Sequence, residues 1–171
     1  VHWHIEPLHK LPNDLARDIK TIITQTLRNA VHHGIETTTA RKALQKPGQG
    51  HITVQLEQQK NSLLLTITDD GKGFDLTAVK NKLITLGERD AQQYTDQQLL
   101  AALFRSTVST AQIVNQDAGQ GVGLALVASL LAKHQGRVSV RRNHQGLTVF
   151  QYQFPALSNR GINLVNQEAV A

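Results

Sequence analysis

Three short stretches carry the residues whose types and spacing could do chemistry: LRNAVHHGIE at 27–36, ITDDGKGFD at 67–75 and AGQGVGLALV at 118–127. In and just before the first, Gln25, Arg28, Asn29, His32 and His33 stand at i, i+3, i+4, i+7 and i+8, which puts them on one polar stripe of a helix. Any surface helix also shows a wet stripe opposite a dry one. Beyond that, Asn29 offers an amide oxygen to a hard cation such as Mg²⁺, which takes few protein ligands when polyphosphate oxygens and water fill its other positions. Arg28 and His33 can reach phosphate oxygens. His32 and His33 diverge by about 100° on a helix, so they are poorly placed to share a metal.

The second stretch contains Asp69-Asp70-Gly71-Lys72-Gly73 at the end of a strand pattern, where a plain turn would also use both glycines. Asp69, an acceptor-only carboxylate, suits the exocyclic amine of adenine. Guanine presents an acceptor there and would be repelled. Gly71 and Gly73 would let backbone approach a flat base with no Cβ in the way.

In the third stretch, Gly119-Gln120-Gly121-Val122-Gly123 runs into a helical pattern beginning near Leu124. Free N–H groups and the positive helix end make such a junction a phosphate site. The dinucleotide fingerprint G-x-G-x-x-G after a strand and the G-K-[ST] of a P-loop are both missing, so neither of those phosphate-binding modes applies.

The elements that must position these residues follow from periodicity. Ile19, Ile23, Leu27 and Ala30 predict a helix over 14–33, with Pro12 and Asn13 as a start and Gly34 as a stop. Residues 36–50 read as a connection and 51–57 with 63–68 as a β-hairpin around QQKNS. A short helix is expected over 76–86. The stretch 87–118, mostly polar apart from Leu99–Phe104, reads as a functional loop or lid. A helix over 123–134, a closing hairpin of 137–142 with 147–154, and a polar tail beyond Pro155 complete the pattern. His2 and His4 read as strand surface residues.

Composition bounds the class. The 171 residues, 40% hydrophobic, fit one domain with a sizeable core: 1–155 as the working unit and 156–171 as a tail or linker. Neither an apolar run of membrane-spanning length nor a secretory leader is visible. With no cysteine, disulfides and thiolate metal sites are excluded. Methionine is also absent, even at position 1, so the chain is expected to be a segment of a longer protein. The net charge of +5 is scattered and aromatics are only 4%, too few for a base-stacking surface, so no nucleic-acid partner is expected.

Taken together, the three stretches resemble the ATP-binding catalytic domain of sensor histidine kinases, within the superfamily shared by gyrase, heat-shock chaperone and mismatch-repair ATPases. RNAVHHGIE, ETTTARKALQKPGQG and LFRSTVSTA are similar to the chemotaxis-type (CheA) kinases, and GVGLALVASLLAKHQGRVSV equally to orthodox membrane sensor kinases. The resemblance covers about 14–155 and implies an α/β two-layer sandwich of the Bergerat type, a mixed, mostly antiparallel sheet under helices with ATP beneath a lid loop. It implies Asn29 as the Mg²⁺ ligand, Asp69 with Thr148 as adenine readers, and Gly71 and Gly73 as adenine-box glycines. Gly119, Gly121 and Gly123, leading into Leu124, would form the phosphate box, with Gln25, Arg28 and His33 at the reacting end.

The chain departs from the family in places. Gln25 stands where hydrolytic relatives have a glutamate and chemotaxis kinases a histidine. An amide cannot accept a proton, so water activation is poor, which favours a kinase over a turnover ATPase. His32 replaces an aspartate, Gln120 an arginine, and Ser106-Thr107-Val108 a Pro-Gly-Phe.

The implied function is a cytoplasmic protein-histidine kinase domain that presents Mg·ATP to a histidine on a separate phosphoacceptor and dimerisation module. A response regulator receiver domain lies downstream, and a homodimer would form through other domains. Three alternatives stay open: a degenerate nucleotide-binding or docking module, an anti-sigma-factor-type serine kinase, and a DNA-dependent ATPase.

Overall fold

The computed structural model describes residues 2–5, 11–111 and 122–155, with side chains over 11–105 and 123–155. Pro12, at φ −52° and ψ 138°, stands at the N-cap, and α1 runs Asn13–Asn29. Leu15, Ile19, Ile22 and Ile23 form its buried stripe. The helical path does continue to Gly34, but Ala30–Gly34 widens into a π turn closed by Ile35 N–H on the Ala30 carbonyl at 2.7 Å. In this turn the Gly34 carbonyl accepts from Lys72 N–H at 2.9 Å.

Five strands form one sheet in the order β1-β2-β3-β5-β4. They are β1 (His2–Ile5), β2 (Ile52–Gln59), β3 (Ser62–Asp69), β4 (Arg137–Arg142) and β5 (Thr148–Pro155). Only β1 with β2 is parallel, and α1 supplies the crossover that a parallel pair requires. The other pairs are antiparallel. The sheet is thus mixed and mostly antiparallel, as the resemblance implies.

The β2–β3 hairpin is tighter than the sequence suggests. Gln59 pairs with Ser62, leaving only Lys60 and Asn61 in the turn.

Alternation decides which face is dry. Val54, Leu56, Leu65, Ile67, Tyr152 and Phe154 point into the core against α1 and α5 (Val122–Lys133), where Val127 and Leu131 meet them. Gln55, Glu57 and Gln153 stand exposed on the other face. Within the core, Thr26 Oγ1 and Tyr152 Oη share a hydrogen bond of 2.8 Å that ties α1 to β5. Farther along α1, the buried Asp18 carboxylate accepts from Lys133 Nζ at 2.6 Å and lies 2.8 Å from His134 Nε2, tying α1 to the end of α5.

Two expectations from sequence change. The connection 36–50 contains a helix, α2 (Thr38–Ala43), because Thr37 caps Ala40 N–H at 3.3 Å and Gln45 turns left-handed at φ 56° to end it. The supposed lid 87–118 is mostly helical where it is described: a 3₁₀ turn at Arg89–Gln93 follows α3 (Leu76–Thr85), and α4 spans Asp96–Ala111. The reason lies in the apolar patch. Leu99 and Leu103 pack with Val79, Leu83 and Ala91, while Leu100 and Phe104 pack into the main core, so two i, i+4 pairs make two adjoining stripes on one helix. Residues 112–121 and the tail from 156 lie outside the described residues.

Candidate functional site

The end of α1, the end of β3, the start of α5 and the start of β5 converge on a cavity of about 670 Å³. From α1 and its π turn come Gln25, Arg28, Asn29, His32 and His33. Asp69 and Gly73 come from the second stretch, Gly123 and Leu124 from the third, and Thr148 from β5. The cavity therefore gathers residues spread from 25 to 148 that the sequence singled out. Gly119 and Gly121 lie outside the described residues.

Asp69 and Thr148 are cross-strand partners in the β3–β5 pair. Asp69 is only 3% exposed and its Oδ1 accepts from Gly71 N–H at 3.0 Å. Burial pushes its carboxyl up, the Gly71 N–H works against that, the charge of Asp70 adds to the rise, and the nearby Thr148 hydroxyl opposes it more weakly. Thr148 Oγ1 is buried without a hydrogen-bond partner. Two polar groups held at the floor of a partly apolar cavity, one of them unsatisfied, fit a planar ligand that both donates and accepts hydrogen bonds.

The two glycines beside Asp69 serve different ends. Gly73 has φ +77°, and a Cβ there would sit 3.5 Å from Thr148 Oγ1 and 3.6 Å from Arg142 Nη1, inside the space a ligand would use. Gly71 does not line the cavity. A Cβ on it would collide with the Gly34 carbonyl and come 2.9 Å from Asp69 Oδ1, so Gly71 is needed for the strand end to dock on the π turn.

The opposite end of the cavity is where α5 begins. A Cβ on Gly123 would lie 3.1 Å from Gln25 Oε1 and 3.8 Å from both polar atoms of the Asn29 amide. This glycine therefore lets a helix N-terminus approach the polar stripe of α1, as phosphate binding at that junction requires. Arg28, His32, His33 and Lys72 also line the cavity and stand exposed, Arg28 and Lys72 bringing positive charge to it. The His32 and His33 rings stand 6.5 Å apart and tilted at 54°. Among the described residues no cluster of three or more His, Cys, Asp or Glu is placed to hold a metal.

One group of cavity residues, and a charged cluster behind the cavity, escape a reading by motif. Phe74, Leu126 and Phe150 supply apolar wall; Phe74 and Phe150 have ring centroids 5.7 Å apart. Phe74 lies within the second stretch and Phe150 is an alternating β5 residue, so both were visible as apolar residues but not as lining.

Behind Asp69 stands a charged cluster. Arg41 is fully buried, with Nη2 on Asp70 Oδ2 at 2.6 Å, Nη1 on Glu36 Oε2 at 3.0 Å and Nε on the Pro47 carbonyl at 2.7 Å. Lys46 Nζ donates to Glu36 Oε1 at 2.6 Å, to the Asp70 carbonyl at 2.8 Å and to the Gly71 carbonyl at 3.3 Å. Burial alone would raise the carboxyls of Glu36 and Asp70. Lys46 and Arg41 respectively overcome it and hold both below the usual range.

No helix among the described residues is long and apolar enough to cross a membrane. In sequence, the chain is 31% identical to the sensor histidine kinase CheAY of Helicobacter pylori over 77% of its own length and 17% of that protein's. It is 30% identical to the chemotaxis protein CheA of Treponema pallidum over 85% of its length and 18% of that protein's. The chain thus spans less than a fifth of both relatives. In fold it is similar to the blue-light activated histidine kinase EL346 of Erythrobacter litoralis, with a TM-score of 0.56 at 15% identity over 94% of this chain and 36% of that one. The family model described as histidine kinase-, DNA gyrase B-, and HSP90-like ATPase matches residues 14–158, and with the cavity built from the same elements the chain belongs to that family as a histidine kinase-like ATPase domain.

Proposed function

We propose that this cavity binds Mg·ATP, reading adenine through Asp69 and Thr148, and that the longer protein passes the γ-phosphoryl to a histidine on another module. The observation that carries the reading is the buried Asp69 beside an unsatisfied Thr148 hydroxyl. On this reading Asp69 accepts from the exocyclic amine of adenine, Thr148 bonds the base beside it, and Gly73 leaves room for the ring. Asn29 holds Mg²⁺, which draws charge from the phosphate oxygens when bound. Arg28, His33 and the start of α5, with Gly119, Gly121 and Gly123, neutralise and orient the phosphates.

The chain's share of phosphoryl transfer is positioning and charge, so no covalent role is required of it. Gln25, close to Gly123, has no proton-accepting group for a water, which favours saving the phosphoryl for an acceptor. The acceptor is a histidine in a phosphoacceptor and dimerisation module, and a receiver domain takes the phosphoryl next. The whole acts as a homodimer in the cytoplasm.

Calorimetry with ADP, a non-hydrolysable Mg·ATP analogue and GTP tests the reading. Adenine nucleotides are expected to bind in the micromolar range, about −8 kcal/mol at roughly 1 μM, and GTP not at all. Equal binding of GTP would defeat it.

Gln25 also supports a second reading, a nucleotide-sensing module that transfers nothing. Phosphorylation of an added phosphoacceptor module by the full protein separates the two.

A further inference from the structure

We propose that Arg41 and Lys46 are positioning residues for base recognition: they hold the Asp69–Gly71 turn and balance the acids beside it, so that Asp69 meets the base as a carboxylate. The inference rests on the adenine reading above and concerns a segment, 36–50, that does not itself line the cavity.

The first support is mechanical. Lys46 Nζ donates to two successive carbonyls of the turn, Asp70 at 2.8 Å and Gly71 at 3.3 Å. Arg41 grips the Asp70 side chain with both terminal nitrogens, Nη2 at 2.6 Å and Nη1 at 3.2 Å. Asp70 in turn accepts from His51 N–H at 2.8 Å, which fixes the start of β2 to the same point. The turn that carries the Asp69 carboxylate and the Gly71 N–H bonded to it is therefore clamped from behind.

The second support is electrostatic. Asp69 is buried beside Asp70 and near Glu36, and both negative charges disfavour its ionised form. Arg41 and Lys46 pair with these two acids, so the cluster of two cations and two anions carries no net charge and the push of the acids on Asp69 is opposed from the same place. A linker needs no fully buried arginine, whose desolvation is costly unless its partners are fixed in place.

Other charged groups also face this region. Lys72 and Asp75 follow in the same loop, Arg28, His32 and His33 line the cavity from α1 and the π turn, and Arg142 approaches Gly73 from β4. All are unchanged when Lys46 alone is replaced, so a difference between wild type and variant reports on the cluster.

The test is ADP binding by calorimetry between about pH 5 and about pH 8, on the wild type, Lys46→Gln, Lys46→Arg and Asp69→Asn, each checked for native circular dichroism. Losing the Lys46 charge makes the Asp69 carboxylate less stable, so it takes a proton at higher pH and binding fails earlier on acidification. Lys46→Gln is expected to bind ADP about tenfold more weakly at neutral pH, with the acid loss of binding moved up by about one pH unit. Lys46→Arg should restore both, and Asp69→Asn should show no such acid limb.

Wild-type affinity and an unmoved midpoint in Lys46→Gln would overturn the proposal. So would a loss uniform in pH, which is what a merely structural lysine gives. If the wild type itself binds no adenine nucleotide, the adenine reading falls and this inference with it.

Discussion

Asp69 and Thr148 face each other across the β3–β5 pair, the carboxylate taking the Gly71 N–H at 3.0 Å and the buried Thr148 hydroxyl close beside it without a full hydrogen bond. A strand pair would not normally bury two such side chains together at its end. The arrangement makes sense when a third partner completes it.

Asp69→Asn is therefore expected to weaken ADP binding by about thirtyfold, near 2 kcal/mol, because an acceptor is replaced by an amide that can present a donor to the adenine amine. Thr148→Val should cost less, about fivefold, close to the worth of one neutral hydrogen bond. Titration calorimetry measures both. ADP affinity unchanged in Asp69→Asn would remove that residue from base recognition.

Asn29→Ala is expected to lower affinity for a Mg·ATP analogue by about tenfold while leaving the affinity without Mg²⁺ nearly unchanged, since only the metal-dependent part passes through its amide oxygen. Binding measured with Mg²⁺ and with EDTA gives the ratio. If the two affinities fall together, the metal ligand lies elsewhere.

Gly71→Ala drives a methyl into the Gly34 carbonyl, so it should destabilise the fold by about 2 kcal/mol or more in urea, with nucleotide binding lost as the turn moves. Gly73→Ala has a milder stability cost, about 1 kcal/mol for its positive φ, yet narrows the cavity itself. A Gly71→Ala variant of wild-type stability would show that the π turn yields easily.

The Asp18 contact gives a pH dependence. Burial acts to raise this carboxyl, but the hydrogen bonds and charges of Lys133 and His134 prevail and hold it at about 2. A carboxyl lowered in the folded state adds stability at pH values above its unfolded value, near 4, and that stability drains away as pH falls toward 2. Asp18→Asn is expected to lose about 2 kcal/mol at neutral pH and to show a flatter acid limb. Urea midpoints from pH 7 down to about pH 2 read the effect, and parallel curves for both proteins would contradict it.

How much of this was legible in the chain depends on how local the cause was. The helix after Pro12, the hairpin strands and the α5 stripe follow from neighbours a few residues apart, and their boundaries came within one or two residues at most ends. The cavity residues Asn29, Asp69 and Gly123 were legible because their chemistry sits in short motifs. The Arg41–Asp70 pair was not. It joins residues 29 apart through a buried charge, and ARKALQK taken alone is an ordinary polar stretch. Likewise Leu99–Phe104 looked like one patch in a loop, because serving two cores from one helix requires knowing that α3 and the sheet lie on different sides of it.

That divided helix has a further consequence. Val79, Leu83, Ala91, Leu99, Ala102 and Leu103 make a small oil drop of their own, meeting the main one along α4 and through Leu76 at the start of α3. Amide protons of α3 and the outer side of α4 are accordingly expected to trade with deuterium on a faster clock than those of β3 and β5. Melting is then expected in two instalments, the first of which leaves the sheet standing.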